Sequence, residues 1–145
     1  MTLENQVISL EIAQKLKELK VKQDSLWWWA IGKCDKKLSL IQGEPDESTM
    51  LKLDKPVKME DFTHHYIQRI ESYYSAFTVA ELGEGLPNTI DKYVMVTMRM
   101  NKGTWCCGYY KNFQEVFHEI GADTEANARG LMKIWLIENG RVRNE

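Results

Sequence analysis

Cysteine is scarce and poorly placed for cross-linking. There are three in 145 residues, and Cys106 and Cys107 are adjacent, so the chain has no disulfide framework. No apolar run approaches the ~18 residues a membrane-spanning helix needs. Met1 to Gln6 lack the basic and apolar regions of a secretory leader. These absences predict a protein of a reducing cytoplasm with no membrane partner. Excess charge is also missing. A formal net charge of −2 gives no global electrostatic reason to bind nucleic acid, although a local basic patch stays open. There is no P-loop, no G-x-G-x-x-G and no G-x-S-x-G, so no recognised motif argues for an enzyme or a cofactor.

At 43% hydrophobic and 28% charged the composition is that of a globular protein, and one domain over residues 1–145 is expected. The organising stretch is Tyr93 to Gly140. Val94, Val96, Met98 and Met100 alternate with Tyr93, Met95, Thr97 and Arg99, which predicts a strand with one buried face. Asn101-Lys102-Gly103 is a three-residue loop with Gly103 in a left-handed position. Thr104 to Tyr110 returns, with Trp105, Cys107 and Tyr109 on one face and Cys106 and Gly108 on the other. Thr124 then caps a helix whose stripe is Ala128, Leu131, Met132 and Trp135. From Ile134 to Ile137 this helix is apolar all round, which predicts deep burial, and Gly140 supplies its left-handed end.

Earlier in the chain, Ser9 predicts a helix cap, with Ile12, Ala13, Leu16 and Leu19 as the apolar face of Leu10 to about Lys20. Ser25 to Ile31 predicts a strand. Trp28 must face away from Trp27 and Trp29, so both faces need cover from a core, a second layer, a ligand or another chain. Leu38 to Gln42 returns as a second hairpin. Gly43 to Thr49 reads as a loop, and Met50 to Leu53 as a short strand. Pro56 excludes a central strand at that point. Lys58 to Tyr74 is ambiguous. Phe62, Tyr66, Ile70 and Tyr73 fit a helical stripe. The strand face Phe62, His64, Tyr66, Gln68 and Ile70 mixes polar and apolar residues. The balance tips to helix, and a flap over residues 43–74 stays open. Thr78 and Glu81 fit a capping box for a short helix. The predicted fold is α+β: one antiparallel sheet from two hairpins, with the N- and C-terminal helices packed on one face. The Trp strand also predicts a homo-oligomer.

The segment Tyr73-Tyr74-Ser75-Ala76-Phe77-Thr78-Val79-Ala80-Glu81-Leu82-Gly83-Glu84-Gly85-Leu86-Pro87 resembles a recurring segment of small bacteriophage and prophage proteins. Thr124 to Met132, followed by an apolar helix ending near Glu138-Asn139-Gly140, resembles a second. The resemblance implies a phage-encoded protein working in the cytoplasm of an infected bacterium. That family has no assigned chemistry, so no catalytic residue follows from it. Gly130 lies inside the second segment, where glycine costs about 1 kcal/mol against alanine, and predicts a close backbone contact.

Reactive side chains lack partners in sequence. Cys106 and Cys107 diverge on a strand, and no C-x-x-C or H-x-x-x-H spacing accompanies Cys34, His64, His65 or His118, so no metal site is expected. Glu44, Asp46 and Glu47 read as a solvated loop, and Asp123 and Glu125 as a helix start. The remaining signal is aromatics with cations. Trp27, Trp29, Tyr73, Tyr74, Trp105 and Tyr109 are candidates to stack on a planar ligand, and Arg69, Arg99 and Arg129 to hold a phosphate. The competing expectation is that most of these rings are core or a subunit contact. The expected partner is a nucleotide-like small molecule or a host protein.

Overall fold

A computed structural model describes residues 2–58, 64–112 and 114–143. Its helix ends follow local hydrogen bonding. Ser9 accepts from the Ile12 amide at 3.4 Å and opens α1 (Leu10–Glu18). Thr78 accepts from the Glu81 amide at 3.2 Å, and the Glu81 carboxylate takes the Thr78 amide at 2.7 Å. This closes the capping box of α2 (Val79–Gly85). Glu81 also accepts from the Leu26 amide at 2.8 Å, which pins α2 to the start of the Trp strand. Thr124 caps α3 (Glu125–Glu138) through the Asn127 amide at 3.1 Å. At the far end Gly140 has φ 67°, and the amides of Gly140 and Arg141 return to the carbonyls of Ile137 and Leu136. That is the left-handed termination glycine permits.

The class is α+β, with three α-helices among the described residues, but the described strands form two antiparallel sheets rather than the single sheet expected. The first runs β2 (Leu38–Gln42), β1 (Trp27–Gly32), β4 (His64–Ser75), β3 (Met50–Lys58). The second runs β5 (Thr89–Ile90), β6 (Tyr93–Arg99), β7 (Trp105–Lys111), β8 (Glu115–Ala122). β1 pairs antiparallel with β2, Trp29 opposite Leu40, and β6 with β7, Thr97 opposite Cys107.

The helical reading of Lys58 to Tyr74 is overturned. Residues 64–75 are β4, paired with both β1 and β3, while 59–63, including Phe62, lie outside the described residues. The physical reason is Gln68, the polar residue that spoiled the strand pattern. It is 3% exposed, and its amide oxygen accepts from Cys34 N at 2.9 Å and Asp35 N at 3.2 Å. Its Nε2 donates to Asp35 at 2.8 Å. A buried polar side chain on the apolar face is tolerated because it closes the β1–β2 turn. β3 is also longer than the short strand expected. Pro56 lies where its register against β4 shifts, on the sheet edge, where a missing amide costs little.

Each terminal helix serves a different neighbour, not one shared sheet face. α1 lies between the first sheet and α3, and α3 lies between α1 and the second sheet. The first core joins Ile8, Ile12 and Leu16 to Trp29, Phe77 and Ala126. The second joins Cys107, Tyr109 and Ile90 to Ala128, Met132 and Leu136. Two-sided packing explains the all-round apolar end of α3, although only Leu136 is fully buried while Ile134, Trp135 and Ile137 are half-buried. Gly130 is the α1–α3 contact: a Cβ there would lie 2.8 Å from Cγ2 of both Ile8 and Ile12. Trp28 and Trp29 are both buried within the one chain, so the Trp strand supplies no reason for a second copy.

Candidate functional site

Local chemistry places four segments around one cleft. The extended chain after Leu3–Gln6 bridges Val7 to Thr78, and Ile8 N donates to Phe77 O at 3.0 Å. This holds Asn5 and Gln6 beside the first turn of α2. Opposite stands the turn end of the β6–β7 hairpin, where Arg99 and Trp105 are direct cross-strand partners. The start of α3 closes the base. The cleft is about 850 Å³, and its walls include Asn5, Gln6, Thr78, Glu84, Arg99, Trp105, Asp123, Glu125 and Arg129. That volume falls within the range of small-molecule sites.

Arg129 is the fixed cation of the cleft. Its Nη2 donates to Glu125 Oε1 at 2.9 Å and to Thr97 Oγ1 at 3.0 Å, and Thr97 donates to the same carboxylate at 3.2 Å. Both partners of the ion pair are mostly buried, with side chains 15% and 26% exposed. The Arg129 Nε is buried with no hydrogen-bond partner. Gly83 makes the placement possible: a Cβ there would stand 2.6 Å from Arg129 Nη1. Two residues on, Gly85 does the same for Lys133, one turn after Arg129: the Lys133 Nζ would lie 2.8 Å from an added Cβ. Lys133 is 6% exposed, its amine sits 5.9 Å from the Phe77 ring centre, and burial lowers its pKa while Asp24 opposes that shift.

Arg99 and Glu84, by contrast, are exposed and form no ion pair or side-chain hydrogen bond among the described residues. Asp123 is exposed, with one oxygen accepting from Asn127 Nδ2 at 2.8 Å. Trp105 is half-buried, its inner side packed on the second core.

Of the nine ligand-binding candidates, Arg99, Trp105 and Arg129 come together here. The others do not line this cleft. Trp27, Trp29 and Tyr74 belong to the first core, with Trp29 Nε1 donating to Ile8 O at 2.7 Å. Tyr73 packs edge-on to Trp28 at 5.7 Å, and Lys17 donates to its carbonyl at 2.9 Å. Tyr109 is fully buried, donates to Pro87 O at 2.8 Å, and is held protonated by burial. Arg69 is exposed on β4 beside Met50. Sequence reasoning gave Asn5, Gln6 and Glu84 no site role and read Thr78 only as a helix cap. It assigned Asp123 and Glu125 only to a helix start. The one sequence signal that two helix starts converge was the pair of threonine caps, and their proximity is tertiary.

No Cys or His is among the described residues lining the cleft. Cys107 faces the second core, where burial pushes its thiol up to about 12. Cys106 lies on the opposite face, 3.4 Å from the Tyr110 hydroxyl, and that hydroxyl donates to Glu119 at 2.8 Å. His118 stacks on Trp135 with ring centres 3.8 Å apart. Among the described residues no three His, Cys, Asp or Glu are grouped to hold a metal, and no helix is long and apolar enough to cross a membrane. No protein-family model, curated protein or solved structure matches this chain.

Proposed function

We propose that the protein is a phage-encoded accessory protein that acts by binding rather than by catalysis. Its cleft takes a nucleotide-like small molecule and withdraws it from host signalling, an anti-defence role in the cytoplasm of the infected bacterium. The observation that carries the binding reading is that Trp105, Arg99 and Arg129 line one cleft. Aromatic stacking on a base and guanidinium pairing with a phosphate are two interactions that suit a nucleotide. The phage setting rests on the resemblance of residues 73–87 and 124–132.

Thermal unfolding with a panel of cyclic nucleotides and ADP-ribose derivatives tests this. Ligand at about 100 times its dissociation constant adds ~2.7 kcal/mol. For a domain of this size the midpoint rises by roughly 5–10 °C. No shift with any panel member would overturn the reading.

A second reading, a protein partner or a second copy of the chain, is favoured by the open face of the second sheet. Val94 is 51% exposed and Val116 48%, on either side of Tyr110, and Val96, Met98 and Cys106 continue their face along the strands. Sedimentation of the purified protein tests the second-copy form, and a monomer at high concentration would exclude it.

A further inference from the structure

The nucleotide reading leaves open which charge state the cleft accepts, and its own residues bear on that. We infer that the occupant is a phosphodiester with one negative charge and an amino-bearing base, of the kind found in a guanine cyclic nucleotide, and not a nucleoside triphosphate. This rests on the nucleotide-binding reading above. The lining carries three carboxylates, Glu84, Asp123 and Glu125, against two guanidiniums. Glu125 and Arg129 neutralise each other at 2.9 Å in a mostly buried setting. What remains uncommitted among the described residues is one cation, Arg99, in a lining it shares with the carboxylates of Glu84 and Asp123. One guanidinium matches one phosphodiester. A triphosphate would bring several negative charges against a surplus of carboxylates, and like charges across a site disfavour the wrong partner.

The same carboxylates suit a base that donates. An ionised carboxylate only accepts, and its two oxygens match a pair of adjacent N–H donors. Guanine offers such a pair on its N1 and N2 edge. Uracil offers one N–H between two carbonyl oxygens that a carboxylate repels. Because Arg99 and Trp105 are cross-strand partners, a base stacked on the indole brings its own phosphate next to the guanidinium.

Isothermal titration with cyclic GMP, cyclic UMP and GTP, the last with and without magnesium, reads this directly. Cyclic GMP is expected to bind about tenfold or more tighter than either of the others. Replacing Glu84→Gln together with Asp123→Asn closes the gap to GTP, and Arg99→Met weakens cyclic GMP by about tenfold or more. GTP binding as tightly as cyclic GMP would overturn the charge argument while leaving a nucleotide site in place. Absence of heat with all three nucleotides would overturn both.

Discussion

Replacing Gly130 with alanine sets two opposing effects against each other, and the sign of the result reports on the α1–α3 contact. In an exposed helix the change stabilises by about 1 kcal/mol. At Gly130 the new methyl would stand 2.8 Å from Cγ2 of Ile8 and of Ile12, which are 0% and 8% exposed. Carbon contacts relax near ~3.5–4.0 Å, so each isoleucine must retreat by about 1 Å. These methyls sit on the β-carbon and cannot swing aside without turning the whole side chain. Overpacking of this kind costs about 1–3 kcal/mol. The net expectation for Gly130→Ala is a loss of about 1 kcal/mol, visible in urea titration or as a midpoint lowered by roughly 2–4 °C. Moving the branch away, with Ile8→Leu and Ile12→Leu in the same chain, should recover the loss as a favourable coupling. If Gly130→Ala alone raised stability by the ~1 kcal/mol of an exposed helix, the close approach of α1 to α3 would be refuted.

Other perturbations test other parts. Leu136→Ala opens a cavity in the second core at a fully buried site and should cost about 2–5 kcal/mol in chemical denaturation. Gln68→Ala removes three hydrogen bonds that close the β1–β2 turn, worth about 2–3 kcal/mol together, and should speed hydrogen exchange at residues 33–37 first. Alkaline stability should fall as pH rises from about 9 towards 12. Over that range the folded chain keeps protons on Cys107, Tyr109 and Tyr110 that the unfolded chain releases, while Lys133, shifted the other way, opposes part of the loss. Cys107→Ala should flatten the fall by up to about 1.4 kcal/mol per pH unit in that window, and an unchanged slope would count against a buried thiol.

What the sequence made legible was what its near neighbours decide. Ser9, Thr78, Thr124 and Gly140 each act on partners within five residues, and each does what its position predicts. The β6–β7 hairpin is local in the same sense, and it alone places Arg99 beside Trp105. β4 was misread because its partners are distant and its polar residue, Gln68, is explained only by a turn more than thirty residues away. The division into two sheets was invisible for the same reason, as was the use of Gly83 and Gly85 to admit Arg129 and Lys133. Periodicity marked Trp29 and Tyr109 as buried or exposed equally well, and only packing assigned them to cores rather than to the cleft.

The most direct measurement is hydrogen exchange with and without whichever cyclic nucleotide or ADP-ribose derivative gives the largest midpoint shift. The account predicts slowed exchange in three separated segments at once, residues 78–84, 99–105 and 123–129, which meet only at the cleft. Slowing confined to the β1–β4 sheet, or no slowing anywhere with every compound tried, would contradict it.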